Sequence, residues 1–326
     1  MVARRSVLAI AAALGATLTW RVSSGQQTAA RVPRIGAILT GDSSSISYAA
    51  FRQGLMELGY VEGQNFIMEP RFAAGQFDRL PAFAAELVAL RVDVIACVGA
   101  VSLRAAQAAT ADIPIVFAVV VDPVALGLVT NLERPGGNAT GVTNFDPRQP
   151  RSQMELLKQT VPGLQRVAIL GDAGVPDALA NANKAAAEAE GLRAQVVLLK
   201  APGTDLDAAF AAIREERADA LLALEVPLVG VHAKKIFELA AAARLPTMFG
   251  ADWASLGPML AYGTSFLAAT RRMSALVDRI LKGAKPGDLP VEAITRHGLV
   301  VNQKVARAIG VTIPPAVLAR ADKVID

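Results

Sequence analysis

The feature that most constrains the fold is an alternation of short apolar runs with amphipathic helical patterns. The clearest unit is 93–102, where the apolar run Val-Ile-Ala-Cys-Val leads to Gly99 and then to Ser102, just before a helical pattern. Such a run is typical of a strand that is buried on both faces of a parallel sheet. The junction predicts free backbone N–H groups at the positive end of a helix, where a carboxylate can bind.

The same pattern recurs in two successive runs, at 34–121 and 151–281, which are joined by the turn-rich stretch 134–147. Strands that alternate with helices predict parallel sheets covered by helices on both faces. We therefore expect an α/β protein with two lobes. Ligands bind outside the carboxyl ends of parallel strands, so the cleft between the lobes is the expected binding site.

The pattern also predicts individual boundaries. The helix after the first junction is expected at Leu103–Ala109, a later helix is expected to begin at Pro176, and an extended return is expected at Glu292–Val300. Proline is favoured in the first turn of a helix because its missing N–H would have no partner there.

Residues 1–30 have the order of a secretory signal. Arg4 and Arg5 precede an apolar run at 7–18, and small polar residues follow. We expect export to the periplasm, with cleavage after residue 25 or 30. The arginine pair suggests the twin-arginine route, although ordinary signals also carry such pairs. The alternative is an uncleaved membrane anchor, for which the apolar run is short.

Composition limits the classes of function. The 326 residues include one cysteine, Cys97, and two histidines, so the chain has few of the side chains that usually bind zinc. Motifs for a phosphate-binding loop, a nucleophile elbow and a zinc protease are absent. Removing residues 1–30 lowers the net charge from +4 to +1, which gives little support to nucleic-acid binding. We expect a ligand-binding protein without catalysis, cofactor, metal or nucleic-acid partner.

Polar side chains stand at several predicted strand ends. The loop after the first strand carries Asp42, Ser44 and Ser45, and these either meet a ligand or form a solvated loop with a helix cap. In the same way, Ser102 either caps its own helix or contacts a ligand, and the two roles are compatible.

Three carboxylates also follow strands: Asp122, Glu225 and Asp252. One of them could meet the ammonium group of a ligand, while each could equally be a turn residue or a helix cap. Phe145 and Trp253 lie beside these turns and either enclose a ligand side chain or pack between the lobes.

A family resemblance adds to this interpretation. The chain resembles the substrate-binding proteins of ABC transporters, of the type that includes tryptophan- and tyrosine-binding members. The resemblance covers 34–326 and rests on five segments: Phe51–Asn65, Ile113–Phe117, Arg134–Gly141, Ile280–Pro286 and Gly310–Pro315.

The resemblance implies a type 1 periplasmic-binding fold with two Rossmann-like lobes, three crossovers and closure on the ligand. On this basis we expect an N-terminal lobe of 31–145 plus about 264–290, and a C-terminal lobe of 146–263 plus about 291–326. The implied partners are a small ligand with a carboxylate and an ABC permease in the inner membrane, and we expect a monomer.

The resemblance also implies site residues. The ligand carboxylate should lie at Gly99, Ala100, Val101 and Ser102. The 41–45 loop and the turns at Asp122, Glu225 and Asp252 should line the cleft.

The chain departs from the family pattern at two cleft positions. A Gly-Asp-Ala-Gly loop containing Asp172 stands where an Asn-Pro type loop is expected, and Glu225 stands where an aspartate or a small residue is expected. Selectivity for the ligand should therefore depend on these two residues. Two alternatives remain open: a ligand-sensing protein for a signalling partner, and a periplasmic enzyme on the same lobes.

Overall fold

A computed structural model describes residues 31–144, 146–175, 177–201 and 203–326. The predicted signal at 1–30, the predicted site residue Phe145 and the predicted helix start at Pro176 lie outside the described residues.

The described strands form two sheets. The first contains β1 (Arg34–Leu39), β2 (Ile67–Phe72), β3 (Val94–Val98), β4 (Ile115–Ala118), β5 (Ala139–Thr143) and, from late in the chain, β11 (Glu292–Ala293). The second contains β6 (Arg166–Asp172), β7 (Arg193–Leu199), β8 (Ala220–Ala223), β9 (Thr247–Phe249), β10 (Leu260–Thr264), β12 (His297–Asn302) and β13 (Lys323–Ile325).

Helices connect these strands. They are α1 (Ile46–Glu57), α2 (Leu80–Ala89), α3 (Ala100–Ala109), α4 (Gln149–Thr160), α5 (Ala178–Ala189), α6 (Leu206–Glu215), α7 (Pro227–Ala242), α8 (Phe266–Leu281), α9 (Gln303–Ile309) and α10 (Pro315–Leu318). Short 3₁₀ segments lie at Phe77–Arg79, Ala251–Leu256 and Pro286–Asp288.

Strand order identifies where a ligand can bind. The first sheet has the order β11-β5-β4-β3-β1-β2 and is parallel throughout. The second has the order β13-β12-β10-β9-β8-β6-β7, and β10 with β12 is the antiparallel pair among its described strands. The strand order reverses between β1 and β3 in the first sheet and between β6 and β8 in the second. Crevices at such switch points are the usual ligand sites of open α/β sheets.

The inner strands of each sheet are buried on both faces, as the apolar runs predict. In β3, Val94 and Ala96 pack on the side of α1 and α8, whereas Ile95 and Cys97 pack on the side of α2 and α3. In β6, Val167 and Ile169 pack in one hydrophobic cluster, whereas Ala168 and Leu170 pack in another on the opposite face. Side chains on a strand alternate between faces, so a strand covered on both sides must be apolar throughout.

The three crossings between the sheets lie side by side. The chain leaves the first sheet after β5, returns at the end of β10, and leaves again between β11 and β12. Thr264 Oγ1 donates to the carbonyl of Asn144, and Ile294 N donates to the carbonyl of Thr143 (2.8 Å). The crossings are therefore connected by hydrogen bonds at one place.

Three details differ from the sequence-based expectation. Helix α3 begins at Ala100 rather than Leu103, because Gly99 has a positive φ of 91° that ends the strand abruptly. The expected extended return is divided into β11 and β12, which belong to different sheets. Strand β13 pairs with β12 although no apolar run predicts it. Among the described residues, no helix combines the length and the apolarity needed to cross a membrane.

Candidate functional site

A cleft of about 320 Å³ lies between the carboxyl ends of the two sheets. Its walls are the segments that follow β1, β3 and β4 in the first sheet and β6, β8 and β9 in the second, together with the start of α8. This volume is at the lower end of the range that holds small organic ligands. Most of the side chains that line it are apolar.

The start of α3 forms one end of the cleft. Gly99, Ala100 and Val101 line the cleft directly. The first N–H groups of a helix have no partner within the helix, and they point outward beyond its N-terminal end. The positive end of the helix dipole adds to them, so this junction can bind a carboxylate.

Ser102 does not line the cleft. Its side chain is fully buried, and its Oγ lies 2.7 Å from the Val98 carbonyl and 2.8 Å from the Gly99 carbonyl. The hydroxyl therefore fastens the first turn of α3 to the end of β3 and is not exposed to the cleft, where the sequence-based hypothesis places it.

The loop after β1 lines the cleft as predicted. Asp42, Ser44 and Ser45 all contribute to the wall. Asp42 Oδ1 accepts hydrogen bonds from Ser44 Oγ (2.6 Å) and Ser44 N (2.9 Å). The bond from the Ser44 hydroxyl is the main cause that lowers the pKa of Asp42, and the bond from the backbone N–H is the second.

Asp122 lies outside the cleft lining. Its Oδ1 accepts from Ala125 N (3.0 Å), and its φ of 41° belongs to a tight turn. The neighbouring Val119 and Val121 line the cleft instead. Val119 has a φ of 60°, which is unusual for a β-branched residue and is found mainly where the surrounding structure enforces it.

Asp172 lies outside the cleft lining and accepts a hydrogen bond from the start of a helix. It is 2% exposed, and its two oxygens accept from Gly174 N (2.7 Å) and Leu228 N (3.0 Å). Burial is the main influence and raises the pKa of Asp172, while the two backbone hydrogen bonds lower it. The carboxylate satisfies an N–H at the start of α7, whose first turn lines the cleft through Val226, Pro227 and Gly230.

Glu225 follows β8 and lines the cleft. Its Oε1 is enclosed and has no hydrogen-bond partner among the described residues. The pKa of Glu225 is raised to about 8, mainly by burial and also by the negative charge of Asp252, while a hydrogen bond from the Gln149 side chain acts to lower it. At neutral pH this carboxyl group is mostly protonated when no cation faces it.

Asp252 connects the 3₁₀ segment after β9 to the start of α8, near the crossings. It accepts hydrogen bonds from Ser265 Oγ (2.9 and 3.0 Å) and from Leu267 N (2.9 Å) at the start of α8. Burial raises its pKa and outweighs these bonds, which lower it. Asp252 is not part of the cleft wall.

An aromatic wall faces the cleft from the second sheet. The ring of Trp253 lies 5.3 Å from that of Phe266 at an interplanar angle of 23°, and 5.3 Å from that of Phe249 on its other side. Trp253 and Phe266 line the cleft. Trp253 Nε1 is buried and has no hydrogen-bond partner among the described residues.

A second, smaller cavity of about 50 Å³ adjoins the cleft. We call it the polar chamber, and we define it by Asn144, Gln149, Asn183 and Glu225 in its lining. It shares Glu225, and the apolar Val119, Val121 and Leu179, with the cleft. The oxygens Asn144 Oδ1 and Asn183 Oδ1 are buried and have no hydrogen-bond partner among the described residues.

Sequence reasoning did not find Phe266 or the polar chamber. Phe266 is the first residue of a helix at a crossing, where an aromatic side chain has no distinctive pattern. Asn183 did leave a signal, because it stands on the buried stripe of α5 with Ala180 and Ala187. A polar residue on an apolar stripe needs a partner or a function.

Comparison with known proteins identifies the family. The model of the family described as "ABC transporter substrate binding protein" matches residues 34–325. A tyrosine-binding protein of Clostridioides difficile (strain R20291) is 23% identical over 261 residues, which are 79% of this chain and 75% of that protein.

Two solved structures are similar over 90% of this chain. A conserved domain protein of Vibrio cholerae O1 biovar eltor str. N16961 is 28% identical, with a TM-score of 0.83 over 100% of its length. The ABC domain of Streptococcus pneumoniae in complex with L-Trp is 25% identical, with a TM-score of 0.81 over 99% of its length. The fold expected from the sequence is confirmed as that of the type 1 periplasmic-binding proteins. The chain belongs to the ABC transporter substrate binding protein family, as the resemblance in its sequence indicates.

Proposed function

We propose that this protein is the periplasmic solute-binding component of an ABC importer, and that it holds a small carboxylate-bearing ligand with an apolar body in the cleft. The observation that carries the proposal is the α3 N-terminus, at Gly99, Ala100 and Val101, which faces an apolar and aromatic cleft between two parallel sheets. That N-terminus suits a carboxylate, and Trp253 and Phe266 suit an apolar or aromatic body.

The relatives support an aromatic amino acid as the first ligand to test. One curated relative is a tyrosine-binding protein, and a similar structure contains L-Trp. Tyrosine and tryptophan both combine a carboxylate with an aromatic body, which are the two features that the cleft favours. Other organic acids with an apolar body satisfy the same features.

Closure of the lobes on the ligand follows from the crossings. Because the three crossings lie together, a small backbone change there can rotate one lobe against the other. A ligand that contacts both lobes favours the closed form, and a permease can then distinguish the loaded protein from the empty one. The sequence-based lobes of 31–145 plus about 264–290 and 146–263 plus about 291–326 are kept in this proposal, except that the first lobe extends to about 294 because β11 belongs to the first sheet. Residues 1–30 are removed after export, and the ligand leaves chemically unchanged.

A backbone substitution tests the carboxylate site. Ala100→Pro removes one N–H at the first position of α3, where proline is compatible with the helix. Gly99 has a ψ of 156°, which the residue before a proline can adopt. Isothermal titration with L-tyrosine and L-tryptophan should then reveal a loss of affinity of roughly one to two orders of magnitude, the effect of one charge-assisted hydrogen bond.

Ala100→Val is the matched control, since it adds bulk at the same position but keeps the N–H. It should retain most of the affinity. Equal losses in the two variants would contradict the carboxylate site, and no binding of any aromatic or aliphatic carboxylate to the unmodified protein would contradict the proposed function.

A further inference from the structure

We infer that a latch outside the ligand cleft joins the two lobes and sets the affinity for every ligand that the cleft takes. The latch consists of Gly75 and Phe77, in the loop after β2, and of Gly174 and Leu228, in the loop after β6 and the first turn of α7. The inference rests on the proposed function, because closure of the lobes gives the latch its effect on binding.

The two sides of the latch are in direct contact. A Cβ added to Gly174 would lie 3.0 Å from Cδ2 and 3.1 Å from Cε2 of Phe77, so the ring lies against the bare backbone of that glycine. A Cβ added to Gly75 would lie 3.4 Å from Cδ2 of Leu228. Phe77 otherwise packs on an apolar cluster of the first sheet, whereas Leu228 belongs to a cluster of the second. The latch is therefore a contact between the lobes.

Asp172 builds the second-lobe side of the latch. Its Oδ1 accepts a hydrogen bond from Gly174 N (2.7 Å), and its Oδ2 accepts one from Leu228 N (3.0 Å). One buried carboxylate thus holds together the two segments that the 73–79 loop touches. This gives a physical reason for a carboxylate in the Gly-Asp-Ala-Gly loop, where the chain departs from the family pattern.

The first-lobe side of the latch is fixed to the cleft wall. Gly75 N donates to the carbonyl of Thr40 (2.9 Å), and Ala74 N donates to the carbonyl of Gly41 (3.1 Å). Thr40 and Gly41 both line the cleft. Ala74 and Gly75 have positive φ angles of 49° and 81°, which form the tight turn that these bonds need. The latch and this part of the cleft wall must therefore move together.

The position of the latch makes it specific to the closed form. Its residues lie outside the cleft lining, so they add no contact to a ligand there. They follow β2, β6 and β8 at the carboxyl ends of the strands, which separate when the lobes rotate about the crossings. Because apparent affinity scales with the fraction of the binding-competent form, losing the latch should weaken all ligands by the same factor.

The substitution Phe77→Ala tests this from the first lobe. Isothermal titration should give weaker binding of L-tyrosine and of L-tryptophan by one common factor, roughly five- to thirtyfold, the effect of the apolar contact that is lost. Asp78→Ala is the matched control, since it changes an exposed neighbour in the same 3₁₀ segment, and it should leave both affinities unchanged. A loss for one ligand alone, or for neither, in Phe77→Ala would overturn the latch.

The substitution Gly174→Ala tests the latch from the second lobe. The added methyl group meets the Phe77 ring and also lies 3.1 Å from Asp172 Oδ1, so this variant should bind both ligands more weakly. In a Phe77→Ala background the same change should cause a much smaller further loss, because the ring that it meets is absent. Losses that multiply fully in the double variant would contradict a direct contact.

Small-angle X-ray scattering without ligand separates failure of the latch from failure of the proposed function. Phe77→Ala should increase the radius of gyration relative to the unmodified protein and to Asp78→Ala, because its open form gains population. Thermal melting of each variant verifies that it folds. If the unmodified protein binds no carboxylate, the proposed function is wrong and the radius alone decides. An unchanged radius would then overturn the latch as well, whereas a larger radius in Phe77→Ala would retain it.

Discussion

The carboxyl group of Glu225 occupies the space that a side chain at position 250 would fill. A Cβ added to Gly250 would overlap Oε1, Cδ and Cγ of Glu225. The backbone of Gly250 is ordinary, with φ −63° and ψ 152°, so packing rather than conformation requires a glycine there. Two neighbouring strand ends, after β8 and β9, thus position one carboxyl group in the cleft.

The substitution Gly250→Ala should destabilise the protein by about 1–3 kcal/mol, the usual cost of overpacking. In a Glu225→Ala background the same change should cost far less, because the group that it meets is absent. Urea denaturation of the four proteins gives the coupling energy. Strictly additive effects would show that the two positions do not compete for space.

Glu225 should make the stability of the unliganded protein depend on pH. Its pKa is about 8 in the folded protein against ~4.3 in an unfolded chain. The folded state therefore binds more protons, and stability is lost as the pH rises from about 4.3 through about 8. The loss should amount to a few kcal/mol, since a pKa difference of one corresponds to ~1.4 kcal/mol. Melting of the unmodified protein and of Glu225→Gln from pH ~5 to ~9 checks this, and parallel curves would contradict it.

The substitution Ser102→Ala should affect stability and not ligand binding. The hydroxyl bonds to the Val98 and Gly99 carbonyls and lies outside the cleft lining. Losing it should cost about 1 kcal/mol of unfolding free energy and leave the affinity for L-tyrosine nearly unchanged. Denaturation and titration measure the two quantities separately. A large loss of affinity at unchanged stability would instead indicate that Ser102 contacts the ligand.

The substitution Asp172→Ala should destabilise the protein by about 1–3 kcal/mol, since it leaves two backbone N–H groups without their acceptor. Asp177→Ala is the matched control, because Asp177 precedes α5 without a side-chain capping bond and should change stability by no more than about 0.5 kcal/mol. Equal costs at the two positions would contradict the capping role of Asp172 at α7.

Much of the cleft wall could be predicted from the sequence, because a strand end followed by a helix start has a local signature. The structure brings Asp42, Ser44, Ser45, Gly99, Ala100, Val101, Glu225 and Trp253 into one cleft wall. Ser102, Asp122, Asp172 and Asp252 stand outside it, since each bonds to a nearby carbonyl, N–H or hydroxyl group. The same side chains serve as caps and as ligand contacts, and local sequence cannot separate the two roles.

The sequence by itself determined the layered architecture. Apolar runs buried on both faces and amphipathic helices between them are compatible with parallel sheets covered by helices. Only the tertiary structure decided which groups line the cleft. Asp172 caps a helix that begins 55 residues later in the chain, and Glu225 packs against Gly250. Such pairings depend on how distant strand ends approach each other, which no local pattern encodes.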